Sequence, residues 1–382
     1  MISRLWDKYL EISLFIIYML INSLFIYKYT PLYSIYAVII YLVGLTVFYI
    51  LYQKYILNRH IPRYVNYIAL VFILLLASVL LLSVDKYILT VDRWSALYYW
   101  SEKLFSGGYP YSATTHVSEE GAASPFPIWQ ILHIPFCIIG EIGISHLIVI
   151  LLLYYIMNEL KDKINLTFFF GLLVLAPSFW WEVAVRSDLM NNMFICLLFI
   201  TVFHYKFSKT RQVYLVGVFI GMLLCTRLFT GIPLAIYFIP WFFRQNLVDK
   251  LRLFGGVLTG LVVPFIPFAI WNPDMLFFYD KSPIILQTRQ GNIITTIAGI
   301  ALVGMFSFLW RTYRQYTSYV GISFFVFVLL SFLYFIFTRG FVRTVYNDIF
   351  DISYFGTAIP FILFGLALYR ESDEKNSIFY QQ

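Results

Sequence analysis

Long apolar runs set the pattern of this chain. Stretches of about 18 or more apolar residues recur along its length, separated by short polar turns, and a run of that length is what a membrane-crossing helix needs. The pattern predicts crossings at about 11–29, 33–53, 65–84, 143–158, 165–181, 189–206, 252–271, 293–310, 318–338 and 352–369. Two further stretches affect the count. Residues 126–140, bounded by Pro125 and Gly140-Glu141, are short enough to re-enter a membrane without crossing it. Residues 212–243 are long enough for two helices, with a break around Thr226-Arg227. The expected fold is therefore all-α: a polytopic transmembrane helical bundle of about eleven to thirteen helices, one integral membrane domain over residues 1–382.

Composition narrows this further. The 382 residues are 61% hydrophobic and 12% charged, where a soluble domain carries about 25% charged residues. The net charge of +7 is scattered between the apolar spans, so no nucleic-acid surface is expected. Cys137, Cys196 and Cys225 all lie in apolar sequence at spacings that fit neither a metal site nor a disulfide framework, which makes them packing residues. No small-residue cleavage site follows the first apolar run, which reads as a signal anchor.

Lys and Arg decide the expected orientation. Clusters such as Arg4/Lys8, Lys161/Lys163 and Arg244/Lys250/Arg252 fall on one side when the N-terminus is cytoplasmic. That places the segment 85–125 outside, together with Trp180–Asn192, the Arg227 break, Trp271–Asn292 and Thr338–Ser353.

The segment Asp85–Gln130 interrupts the apolar pattern for longest, yet its Trp, Tyr and Phe content argues against disorder. Trp94, Leu97, Tyr98, Leu104 and Phe105 recur at helical spacing, which predicts an amphipathic helix on the membrane surface, ended by Gly107-Gly108. Asp92 heads this helix. It is placed either as an N-cap or as a carboxylate at the water–lipid boundary, a general base toward an acceptor hydroxyl; one residue can do both. Asp188, close to Glu182 and Arg186, precedes a second apolar helix and carries the same two readings. Asp92 and Asp188 on one side can converge on an acceptor or on a divalent cation. Arg227 is a charge inside apolar sequence, read either as an arginine snorkelling at a turn or as a bidentate phosphate ligand. Lys281, Arg289, Arg339 and Arg343 suit an anionic lipid head group, or else form solvated pairs with Asp280, Asp348 and Asp351. His116 and His133 are unremarkable singletons, and no phosphate-binding loop, zinc-protease motif or nucleophile elbow is present.

In order, these features resemble a known family. The Asp92-headed helix, Gly108-Tyr109-Pro110-Tyr111, the Pro-rich entry SPFPIWQILHIPF, VAVRSDLMNNMFICLLF with Asp188 in the acidic place, and CTRLFTGIPLAIYFIP with Arg227 where Lys is usual are similar to the polytopic glycosyltransferases of the C superfold (GT-C). The likeness is nearest to the polyprenol- or dolichol-phosphate-mannose-dependent mannosyltransferases and covers roughly residues 65–243. Two apolar helices precede the family-like part, and Asp92-Arg93 stands where the family has paired acidic residues.

The resemblance implies an inverting transfer of one sugar, mannose foremost, from a polyprenyl-phosphate donor to a glycan or glycolipid acceptor at the outer face of a bacterial plasma membrane. Asp92 and Asp188 would be catalytic. Arg93, Tyr109, Tyr111, Glu182, Arg186, Arg227, Arg339 and Arg343 would bind substrate, with Arg227 and Arg339 or Arg343 on the leaving phosphate. A divalent cation is the one cofactor left open. The competing readings are a lipid-linked glycan flippase or transporter and a polysaccharide polymerase or ligase.

Overall fold

The structure, a computed structural model, describes residues 2–56, 62–117, 123–208, 210–288, 291–346 and 349–369. The acidic pair Glu119-Glu120 and the loop residues Arg289 and Asp348 lie outside the described residues. The α-helices run in the order α1 (Ile2–Tyr29), α2 (Ser34–Leu51), α3 (Arg63–Ser83), α4 (Arg93–Phe105), α5 (Pro127–Ile139), α6 (Ile144–Glu159), α7 (Leu166–Val174), α8 (Pro177–Ala184) and α9 (Leu189–Val202). There follow α10 (Val213–Leu224), α11 (Gly231–Arg244), α12 (Leu247–Val262), α13 (Ile266–Trp271), α14 (Pro283–Thr288), α15 (Ile293–Leu309), α16 (Tyr313–Arg339), α17 (Phe341–Val345) and α18 (Ile359–Ala367).

This is an all-α integral membrane protein. Among the described residues six helices are long and apolar enough to cross a membrane, and nine if each bent pair counts as one span; three shorter apolar helices accompany them. The expected crossings are thus not all long and straight, and the breaks have local causes. Between α5 and α6 the chain bends by 117°. Gly140 there takes a left-handed φ of 86°, a conformation that costs other L-residues about 1–2 kcal/mol. Pro177, which cannot donate into a helix ladder, opens α8 after a bend of 66° from α7. The expected break at Thr226-Arg227 separates α10 from α11.

Within the single integral domain expected from the sequence, the chain divides into two compact units. One comprises residues 1–78, 150–182 and 294–382; the other comprises 79–149 and 183–293.

In the first unit, polar contacts tie apolar helices to one another. Tyr18 donates to the Leu172 carbonyl at 2.6 Å, and the Asn22 side-chain Oδ1 accepts from Ser178 N at 3.1 Å and its hydroxyl at 2.8 Å. Arg314 donates to Glu11 at 2.8 Å and to the Gly365 carbonyl at 3.1 Å, which binds α16 to α1 and α18. Inside a bundle a charge needs such a partner, because desolvation is otherwise uncompensated.

In the second unit, α10 and α12 cross at very short range. Gly217 and Gly221 on one helix face Gly256 and Gly260 on the other, and an added Cβ at any of the four would run into facing backbone. Small residues four apart let two apolar helices approach this closely, the usual route to helix association where apolar surface alone gives no drive.

Helix α4 packs part of its expected apolar face into protein. Trp94 and Leu97 are buried, as is Trp100, while Phe105 of the same expected set is exposed. Leu97 packs with Trp129, Cys137 and Ile142, and Trp100 with Tyr109, Tyr111, Ala123, Phe268 and Leu276. The helical periodicity marks one face for burial, but nothing in it distinguishes a lipid surface from a neighbouring helix.

Candidate functional site

The second unit gathers most of the residues singled out by sequence, and a buried ion pair lies at their centre. Arg227 donates to both oxygens of Asp188: Nε to Oδ2 at 2.9 Å, Nη2 to Oδ1 at 2.8 Å and to Oδ2 at 2.6 Å. Trp129 adds its indole N–H to Oδ2 at 2.6 Å. Asp188 is 1% exposed and Arg227 3%. Burial alone would raise the Asp188 carboxyl; the Arg227 guanidinium, helped by Arg93, outweighs it and holds the group below the usual carboxylate range. Asp188 is therefore an ionised carboxylate filled by donors.

This changes two expectations. Arg227 does not stand free as a phosphate ligand, because Asp188 takes its Nε and Nη2. Nor does Asp188 stand free as a base or cation ligand, and its side chain makes no N-cap bond to α9. Among the described residues no group of three or more His, Cys, Asp or Glu side chains gathers for a metal, so the geometry lends no support to a cation between Asp92 and Asp188. The physical reason is economy of burial: an acid and a base taken out of water together pair before they serve anything else.

The turn before Asp188 is built by Arg186. Its φ of 52° is left-handed, a rare state for a residue with a side chain. The guanidinium bridges three pieces of chain: Nη2 donates to the Leu81 carbonyl at 2.6 Å, Nη1 to the Ala184 carbonyl at 2.8 Å, and Nε to Glu141 at 3.3 Å. Glu141 also accepts the Gly143 N–H at 2.8 Å. Arg186 thus positions Asp188 and has its donors committed to protein. Glu182, also buried, lies on α8 within the first unit.

Backbone contacts fix the other side of the pair. Phe126 N–H donates to the Thr226 carbonyl at 3.0 Å and Ile128 N–H to the Cys225 carbonyl at 3.2 Å, joining the start of α5 to the chain leaving α10. Gln287 ties in α14, donating to the Ser124 carbonyl at 2.7 Å and accepting from Leu228 N at 3.3 Å.

Asp92 behaves differently. It sits at the N-cap position of α4 but makes no side-chain cap bond. The residue is half-buried, and among the described residues no hydrogen bond or ion pair engages its carboxylate; its backbone carbonyl takes the Ser95 hydroxyl at 2.9 Å. Beside it, Arg93 reaches Asp188 electrostatically, which links the head of α4 to the buried pair. His116 braces this helix start, its ring bonding Ser95 Oγ at 2.7 Å and the Leu89 carbonyl at 2.8 Å.

Tyr109 and Tyr111 are packing residues. Their rings join the aromatic cluster around Trp100 and Phe268, and their hydroxyls donate to the Phe268 carbonyl at 3.4 Å and the Pro125 carbonyl at 3.3 Å. Burial pushes the Tyr109 phenol up to about 12 and raises Tyr111 too, so neither ionises near neutrality. Arg339 and Arg343 are exposed and belong to the first unit.

The sequence reading missed Trp129, Gln130, His133, Glu141, Ser187 and Asn192. His133, taken for a singleton, lies tilted against Trp129, with ring centroids 4.6 Å apart. Gln130 and Asn192 are both fully buried with neither amide atom hydrogen-bonded. Ser187 Oγ and His133 Nε2 are likewise buried and unpaired. Each such group costs about 1–3 kcal/mol. The signal was present in sequence: Gln130 and His133 lie three apart inside an apolar helix, and Asn191 and Asn192 lie in the first turn of another. Comparison with models of known protein families, with curated proteins and with solved structures finds no match to this chain.

Proposed function

We propose that this chain is a membrane glycosyltransferase of the C-superfold kind. It moves a sugar, mannose foremost, from a polyprenyl-phosphate donor to a glycan or lipid acceptor. The reaction takes place at the outer face of a bacterial plasma membrane, with the N-terminus cytoplasmic. One observation carries the reading: Asp92, a half-buried residue at the head of an ordered helix, has a side chain that neither caps the helix nor pairs with a described residue. A carboxylate without a protein partner is available to take a proton from an acceptor hydroxyl.

In this reading the acceptor hydroxyl oxygen attacks the anomeric carbon while its proton passes to Asp92. The bond from that carbon to the phosphate oxygen breaks, and the electron pair leaves with the lipid phosphate. Attack opposite the leaving group inverts the anomeric centre. Arg93 is the cation next to the base. Arg227, committed to Asp188, serves chiefly to hold the floor of the site.

The test is transfer of labelled sugar from polyprenyl-phosphate-mannose, -glucose and -arabinose in membranes carrying the wild type or Asp92→Asn. Incorporation by the wild type, reduced about 100-fold or more in the variant, supports the class and the base. Full activity in Asp92→Asn removes the residue from catalysis. No incorporation from any donor, with the protein intact in the membrane, favours a lipid-linked glycan flippase.

A further inference from the structure

We propose that His116 is a positioning residue for Asp92: its ring clamps the chain on both sides of that residue, so that the carboxylate is relieved of capping α4 and held ready for the acceptor. The inference deepens the glycosyl-transfer reading and rests on it for the role of the carboxylate. The clamp itself rests on geometry.

An aspartate just before a helix ordinarily turns its side chain back to accept an N–H of the first turn. Asp85 does so nearby, taking the Tyr87 N–H at 2.9 Å at the head of the 3₁₀ turn Lys86–Ile88. Asp92 holds the same position before α4 and makes no such bond. The start of α4 is anchored from outside the helix instead.

The anchor is the half-buried His116. Its Nε2 lies 2.8 Å from the Leu89 carbonyl, which can only accept, so that nitrogen carries a hydrogen. Nδ1 lies 2.7 Å from Ser95 Oγ, and the His116 backbone N–H donates to the same oxygen at 3.3 Å. Leu89 and Ser95 stand three residues before and three residues after Asp92. The bond between Nδ1 and Ser95 is made in either state of the ring: the hydroxyl donates to a neutral ring, and Nδ1–H donates from a charged one. In the charged ring the hydroxyl is released to the Asp92 carbonyl, 2.9 Å away, which also takes the Ala96 N–H at 2.9 Å.

Trp94 completes the hold. Its indole N–H donates to the Lys86 carbonyl at 3.1 Å, and its ring lies 4.7 Å from that of His116, centroid to centroid. The main chain around Asp92 is thus fixed at Lys86, Leu89 and Ser95 by groups other than its own side chain. A general base needs a fixed direction and an open lone pair, and this arrangement supplies the first without using the second.

Hydrogen exchange and transfer kinetics on the full-length protein in detergent test this together. In His116→Ala, amide exchange across residues 89–97 should quicken about tenfold or more while the rest of the chain keeps its wild-type rates. The kcat for sugar transfer should fall about tenfold to 100-fold with KM little changed. His116→Gln, whose amide N–H can stand where Nε2–H stands, should recover part of that loss. Made in the Asp92→Asn background, His116→Ala should cost no further activity, whereas a residue that only holds the fold would lower both backgrounds alike. Unchanged exchange across 89–97 overturns the clamp. Faster exchange with unchanged kcat, or an equal loss in both backgrounds, overturns the positioning role. If His116→Ala does not fold, Ser95→Ala, which removes the same link, replaces it in every comparison. Absence of transfer by the wild type removes the glycosyl-transfer reading and the positioning role with it, while the exchange result still decides the clamp; transfer without the clamp keeps the glycosyltransferase and removes this inference.

Discussion

Asp92 and Asp188 look alike in sequence, an acidic residue just before an apolar helix, and the fold gives them opposite fates. Asp188 is filled by Arg227 and Trp129; Asp92 is left uncommitted. Removing one member of the buried pair strands the other, so Asp188→Ala is expected to destabilise the protein by about 3–5 kcal/mol. The double change Asp188→Leu with Arg227→Met should cost clearly less. Thermal unfolding in detergent checks both, and a double variant as damaged as the single one refutes the account. The pair also sets a pH dependence. Asp188 has a depressed folded pKa, so its stabilisation is present above the unfolded value of about 3.9 and is lost as pH falls through the folded value. Acidification below about pH 4 should therefore lower wild-type stability more than that of the double variant.

At the scale of elements, glycine and proline account for most of what hydropathy blurred. Pro177 converts the crossing expected at 165–181 into a bent pair, and Gly140 ends the short stretch 126–140 at the boundary the sequence marked. The α10–α12 crossing depends on four glycines, so Gly256→Leu, which drives a side chain into the backbone near Tyr214 and Val218, should destabilise the second unit by about 1–3 kcal/mol or more. Thermal unfolding gives the comparison, with Gly255→Leu as control because open space surrounds that position. An equal effect at both positions refutes the close-packing argument. Helix α4 teaches a related point. Its periodicity marked Leu97, which packs against Trp129, Cys137 and Ile142, while Phe105 of the same set stays exposed.

For the whole molecule, membrane residence follows from composition and length, while sidedness remains to be measured. The three native cysteines are free and buried, so a single exposed cysteine reports cleanly. Glu102→Cys on the outward side of α4 is expected to react with a membrane-impermeant maleimide in intact cells. Labelling only after the membrane is broken would reverse the proposed orientation and, with it, the lipid-phosphate donor at the outer face.

The sequence by itself determined that this is an all-α membrane protein and where most of its helices lie, and it marked the charged residues set in apolar surroundings. Hydropathy and the cost of desolvating a charge act locally and can be counted along the chain. It also found the break at Thr226-Arg227 and singled out Asp188 and Arg227, which the fold pairs. Only the tertiary structure decided which of these charges cancel. Asp188 and Arg227 are thirty-nine residues apart, and Gln130 and Asn192 lie on different helices. Pairing depends on distance through space, which the order of residues does not contain. The same holds for Arg186, whose three partners come from three segments of chain and hold its backbone in a conformation no local preference would choose.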